Sequence, residues 1–322
     1  MMESNEFDRE LQLKLYLRKD DSYSIWDHPN FKSSMVLPED YKPLSNLMSV
    51  LERMNQWSSN VLEKRMTLLK VIGDAMCANE NQLRRYMKTI MSPSETSRFI
   101  EALRKEGFVE RHRARLDFDE NEEAKPAAPI TLGPAGYLLM KHYYAEVAFA
   151  RPESWQNKAY SVQRTVALNE LRCVAAEQKA LKGWRWYANV GNSSKYPSPA
   201  AVMQLKTINE DIVDFLIIRA QSSQDFLPFM KKILECYRYL YNRDGRIVVA
   251  GTNNENYQIV LLSVSTIKLA KYIAQQLDLS KYPFEVWFVI DEDFDSSEDI
   301  DKINKSFYSI SNNDIERLEL EF

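Results

Sequence analysis

Between Gln82 and Arg115 the chain gathers groups that hold phosphates and read base edges. The segment carries nine lysines and arginines against four glutamates. Ser92, Ser94, Thr96 and Ser97 place four hydroxyls within six residues of SPSETSRFIEALRKEG, each able to donate to a phosphate oxygen or a base. Arg98 follows them, and a guanidinium there suits bidentate contact with guanine. Arg84, Arg85, Lys88, Arg104, Arg111 and Arg113 supply the positive charge that contacts to a nucleic-acid backbone need. Together these side chains are the candidate DNA-binding set.

Such groups work only if local structure positions them. Ser92 is an N-cap residue, Pro93 fits the first helical position, and Glu95 completes a capping box. Phe99, Ile100 and Leu103 form an apolar stripe, and Gly107 supplies the left-handed stop. Phe108 then opens a strand to Leu116 with Arg111, Arg113 and Arg115 on one face. Upstream, Val61–Ala78 reads as a first helix with Leu62, Met66, Leu69 and Ile72 inward, and Asn79 with Gln82 caps a second. Downstream, Ile130–Leu132 returns as a strand and Pro134 starts a helix. This order predicts a winged helix-turn-helix over residues 58–150, with helix 93–106 entering the major groove. Residues 1–57 read as an irregular arm and an amphipathic helix through Leu44, Leu47, Leu51 and Met54. That helix packs on its own domain or forms a dimer contact. The loop DFDENEEAKPAAP (117–129) repels phosphates unless it stays solvated, or it competes with DNA for the basic face.

ARPESWQNKAY reads as a linker, and residues 157–322 as a second domain. The expected order there is a helix over ALNELRCVAAEQKAL, strands GWRWYANV, AVMQLKTI and DIVDFLIIRA, a helix PFMKKILECYRYLYN and a strand GRIVVAGT. Residues 254–277 read as mostly helical, with QIVLLSVS open between helix and strand. PFEVWFVIDEDF is a strand, and an acidic tail ends in a short edge strand. The fold class is α+β: a winged helix-turn-helix followed by an α/β domain with a mixed sheet.

Several chemistries find no support. The three histidines, His28, His112 and His142, lack ligand spacing, and neither a Walker A motif nor GxGxxG occurs. No metal or cofactor is expected. The run IDEDFDSSED lacks the glycine and distal glutamate of an EF-hand. Asp211 and Asp214 flank a strand start and read as edge solubility. Trp184, Trp186 and Tyr187 alternate as sheet-core aromatics, or as platforms for bases. Three scattered cysteines and an acidic, polar start predict a cytoplasmic protein with neither disulfides nor a signal peptide. No apolar run is long enough to span a membrane. A net charge of −4 argues against a nucleic-acid coat and allows one basic face.

The phrases EALRKEGFVERHRAR and ITLGPAGYLLM, with this order of parts, resemble the replication-relaxation family of bacterial plasmids and conjugative elements. The resemblance spans residues 60–292. It implies a restriction-endonuclease-like second domain, whose active members carry an Asp opening the second strand and an acidic pair on the third. Here Pro199-Ala200 and Ile217-Ile218-Arg219 stand in those places, and the apolar ones cannot hold Mg²⁺. The resemblance therefore implies a pseudo-nuclease. It would bind double-stranded DNA with sequence preference, without catalysis, as an accessory factor in mobilisation or replication. The second domain would dimerise or dock a relaxase, replication or partition protein. EGFVERHRAR also resembles winged repressors of the multiple-antibiotic-resistance type, so a repressor of its own element is the alternative, and an unusual nuclease the third reading.

Overall fold

The computed structural model describes residues 13–116, 127–156, 158–222, 225–253, 255–295, 303–311 and 314–322. Among them are nine α-helices and two sheets, one of which mixes parallel and antiparallel strands. The chain divides into two compact units: residues 30–169, and residues 170–322 together with the segment before Asn30.

The first unit runs β1 (Phe31–Val36), α1 (Leu47–Asn55), α2 (Ser59–Ala75), β2 (Cys77–Asn79), α3 (Glu80–Met87), α4 (Pro93–Lys105), β3 (Val109–Leu116), β4 (Pro129–Leu132) and α5 (Pro134–Tyr143). Its sheet order is β1-β3-β4-β2, antiparallel throughout. Two strands depart from the expected layout. β1 lies where an irregular arm was expected, because its partner in β3 is distant in sequence. β2 replaces the expected end of the first helix, which stops when Met76 turns to φ +62°. α1 buries Val50 and Met54 in its own unit's core, beside Leu68, Leu103 and Leu139.

The junction between α4, β3 and α5 is backbone against backbone. Gly107 takes φ +73°, a conformation costly for a residue with a Cβ. Phe108 N–H donates to Leu103 O at 3.0 Å, and Phe108 O accepts from Gly133 N–H at 2.9 Å. A Cβ on Gly136 would stand 2.0 Å from Phe108 O, so no larger residue fits.

α6 (Ala159–Glu177) carries the chain across the division at 169/170. The second unit continues with β5 (Leu181–Trp186), β6 (Ala201–Lys206), β7 (Ile212–Arg219), α7 (Phe226–Asp244), β8 (Tyr257–Val264), α8 (Ile267–Gln276), β9 (Glu285–Ile290), α9 (Glu292–Asp295), β10 (Phe307–Ser311) and β11 (Asp314–Arg317). The strand order is β11-β10-β9-β8-β7-β6-β5. β7, β8 and β9 run parallel and the other pairs antiparallel. The expected strand at GRIVVAGT is absent: Ile247 and Val249 are buried, but the segment makes only an isolated bridge from Val249 to Val190. The strand lies instead at Tyr257–Val264, within the region read as mostly helical. Leu216, Ile218, Val260 and Leu262 pack with Met230 and Leu234 of α7 and with Leu269 and Ile273 of α8. Phe215 stacks on Phe307 at 5.2 Å.

Residues between Leu13 and Pro29 close over the carboxyl ends of the parallel strands. Arg219, ending β7, holds Asp291 bidentately at 2.7 and 2.6 Å and Ser263 Oγ at 3.0 Å. Asp27 stands 3.9 Å from the same guanidinium, and its Oδ1 accepts from Ser222 N–H at 3.0 Å. Leu15 O accepts from the Thr266 hydroxyl, which also caps α8. Burial pushes Asp27 up to about 7, against the opposing pull of Arg219 and the Ser222 N–H. Folded Asp27 thus keeps a proton that the unfolded chain loses near pH 4. Stability of this unit should fall as pH rises from about 4 to about 7, by at most about 1.4 kcal/mol per pH unit. Asp27→Asn should flatten that decline in urea titrations at pH 5 and 7.5. Parallel declines in both proteins would show that Asp27 is not its source.

Candidate nucleic-acid interface

α3 and α4 are set by their caps. Asn79 Oδ1 accepts from Gln82 N–H at 2.9 Å, and Gln82 Oε1 accepts from Asn79 N–H at 3.0 Å, a complete capping box. Ser92 Oγ accepts from Glu95 N–H at 3.2 Å. The Glu95 carboxylate leaves the expected box and instead takes Lys64 Nζ at 2.9 Å. This contact and nearby Arg98 hold it below the usual carboxylate range.

The buried side of α4 comprises Thr96, Phe99, Ile100, Leu103 and Arg104. Ser94, Arg98, Glu101 and Lys105 are exposed. Two members of the candidate set therefore belong to the fold. Thr96 is fully buried and donates its hydroxyl to Ser92 O at 3.0 Å. Arg104, with its side chain 8 % exposed, donates to Glu101 Oε2 at 2.6 Å and to Val36 O at 3.1 Å. Neither reaches a groove from these positions.

Of the remaining candidates, Ser97, Arg84 and Arg111 are linked through Glu80. Ser97 Oγ accepts from Arg84 Nε and Nη2 at 3.0 and 2.8 Å. Arg84 also pairs with Glu80 at 2.7 Å, and the other Glu80 oxygen stands 3.8 Å from Arg111. The chain Ser97–Arg84–Glu80–Arg111 thus links the first turns of α4 and α3 to strand β3. Arg113 and Arg115 continue it on the same exposed face of β3. Ser92, Ser94 and Lys88 are exposed nearby in sequence, Arg85 is half-buried, and the Arg98 side chain is 73 % exposed. Glu80, outside the candidate set, holds Arg84 and stands near Arg111. Its i,i+4 spacing to Arg84 was the available signal.

The opposite face of β3 is closed. Burial lowers His112 to about 4, so it is neutral at physiological pH, with its ring nitrogen 3.2 Å from the Thr131 hydroxyl. Glu110 is pushed up to about 7 by burial and then by Glu153. Residues 117–126 of the acidic loop lie outside the described residues.

In the second unit, Ala200 N–H donates to Ile217 O at 2.8 Å, so these two positions, among those where the resemblance implies acidic ligands, are neighbours and carry apolar side chains. Asp214 is not at a solvent edge. It is fully buried on β7, and its Oδ1 accepts from Gln204 and Asn256 at 2.8 and 2.9 Å. Asp211 is exposed before that strand. Trp184 and Trp186 contact each other edge-on at 5.2 Å, half-buried on the outer strand β5. Among the described residues, no three His, Cys, Asp or Glu side chains are grouped to hold a metal, and no helix is long and apolar enough to cross a membrane. Cys77, Cys173 and Cys236 are free thiols.

No family model matches this chain, and neither a curated protein nor a solved structure matches it.

The geometry separates structural from surface arginines. Arg104→Ala should cost about 1–3 kcal/mol by leaving Glu101 and Val36 O without their buried donor. Arg98→Ala should stay within about 0.5 kcal/mol of the parent. Urea midpoints measure both, and equal stability of the two variants would contradict the assignment.

Proposed function

We propose that this chain binds double-stranded DNA through a winged helix-turn-helix made by α2, α3, α4 and the β3–β4 wing. The carrying observation is the band from Ser97 through Arg84, Glu80 and Arg111 to Arg113 and Arg115. It sets fixed guanidinium groups beside the exposed first turns of α4, where a recognition helix presents side chains to base edges. The acidic chain concentrates its cations there, as a phosphate-contacting face requires. Arg98, exposed in the second turn of α4, is the base-reading residue of this proposal, and the β3 arginines contact phosphate.

The order α6, β5, β6, β7, α7, β8 is compatible with the restriction-endonuclease-like arrangement that the resemblance implied. In this reading the second unit does no catalysis, because Ala200, Ile217 and Ile218 offer no ligand atoms and Arg219 is engaged by Asp291. The resemblance places the binding on a bacterial mobile element, as an accessory to mobilisation or replication.

Fluorescence anisotropy against duplexes across a salt series tests the binding. Changing Arg113 and Arg115 together to alanine should reduce the slope of log K against log salt by about 1.8. Arg98→Ala should weaken a preferred site by about 1–3 kcal/mol more than random duplex. No binding to any duplex at low salt would remove the proposal. Incubation with supercoiled DNA in Mg²⁺ or Mn²⁺ should leave it intact, and cleavage that Asp211→Ala abolishes would return the chain to the nucleases.

A further inference from the structure

Strand β1 pairs with β3 in a register that puts Lys32 opposite Arg115, Ser34 opposite Arg113 and Val36 opposite Arg111. Residues directly opposite share a face of the sheet, with Cβ atoms about 5 Å apart. Phe31, on the other face, is 3 % exposed, whereas Lys32 and Ser34 are exposed. The outer side of β1 extends the arginine row of β3 into a ladder two residues wide.

The pairing also changes what the wing is. β4 accompanies β3 only from Val109 to Arg111. Beyond Arg111, the described strand partner of β3 is β1, which pairs with it to Leu116. Arg113 and Arg115 are therefore held in extended geometry by a strand from before the first helix. We infer that β1 belongs to the nucleic-acid interface, with Lys32 and Ser34 contacting the phosphodiester backbone alongside Arg115 and Arg113. This inference rests on the DNA-binding reading above.

Like charges directly across a strand pair are destabilising, and Lys32 faces Arg115. A lysine on an edge strand does discourage edge-to-edge pairing. That role asks nothing of β3, an interior strand that nonetheless carries three arginines on the same face. Among the described residues, neither Arg113 nor Arg115 has an ion-pair partner. A surface of this kind fits a repeating polyanion. Its rungs recur about every 6.8 Å along the strands, close to twice the ~3.4 Å axial rise per phosphate of one DNA strand. Ser34, a neutral donor beside Lys32 and opposite Arg113, suits a phosphate oxygen.

The test uses the full chain and a duplex that the parent protein binds, with anisotropy measured across a salt series. Lys32→Ala with Ser34→Ala should lower the salt slope by about 0.9, with equal losses on preferred and random duplex. Lys32→Arg should keep the parental slope. Lys32→Met, which keeps a linear side chain of similar length without the charge, should lose the same slope as the double variant and covers the case in which that variant unfolds. A parental slope in folded Lys32→Met, with Arg113→Ala still reducing it, would overturn the role of β1 and leave the DNA reading standing. Failure of the parent to bind any duplex would remove both.

Discussion

Everything in the candidate interface depends on how closely the backbone of Gly107–Phe108 approaches that of Gly133–Gly136. Phe108 O accepts from Gly133 N–H, and the space beside Phe108 O at Gly136 admits no side-chain atom. α4 ends at this contact, β3 begins there and α5 starts against it, so the angle between α4 and β3 is set by main chain. The positions of Ser97, Arg84 and Arg111 relative to one another follow from that angle. Long arginine side chains on a loosely joined helix and strand would lose much of their rotamer freedom on binding. Here Glu80 restrains Arg84, and Arg111 stands within its reach, before any ligand arrives.

The second unit uses buried charge differently. Arg219, Asp27 and Asp291 meet at the carboxyl ends of three parallel strands, where open α/β sheets commonly take ligands. In this chain the place is filled by its own segment: Leu15, Tyr16 and Asp27 pack into the opening. One guanidinium facing two carboxylates leaves the more deeply buried carboxylate poorly stabilised as an anion, so the group that ties the segment down holds its proton near neutrality. The charge cluster anchors the segment, and apolar packing of Tyr16 on Phe226 completes the closure.

The elements visible in the sequence are those whose signals are local. Asn79 with Gln82, and Ser92 with Pro93 and Gly107, mark helix ends through contacts spanning a few residues, and α3 and α4 lie where those marks put them. β1 escaped because FKSSMV has neither strong strand propensity nor a nearby partner, and its register is set by residues 111–116. β8 was ambiguous because a strand buried on both faces shows no alternation. The apolar run at Ile247–Ala250 looked equally strand-like, yet it lies in a loop pinned by Gln258. Of the candidate site, Arg98 and Arg113 are exposed as their spacing suggested. Thr96 could have been set aside from its place on the stripe with Phe99, Ile100 and Leu103. Arg104 could not, because its partner Val36 O belongs to a strand that the sequence did not reveal.

The crossing of the chain between its units has a consequence for biosynthesis. Asp27 leaves the ribosome early, but Asp291, the second carboxylate on Arg219, follows 264 positions later. At ~5–20 residues per second the segment waits roughly 13–50 s for its receptor to be complete. β1, next along the chain, finds its partner once residue 116 has emerged. The nascent protein therefore assembles this sheet first, while the segment carrying Asp27 waits for its receptor. The segment that carries Asp27 completes its contacts only after Asp291 has been made.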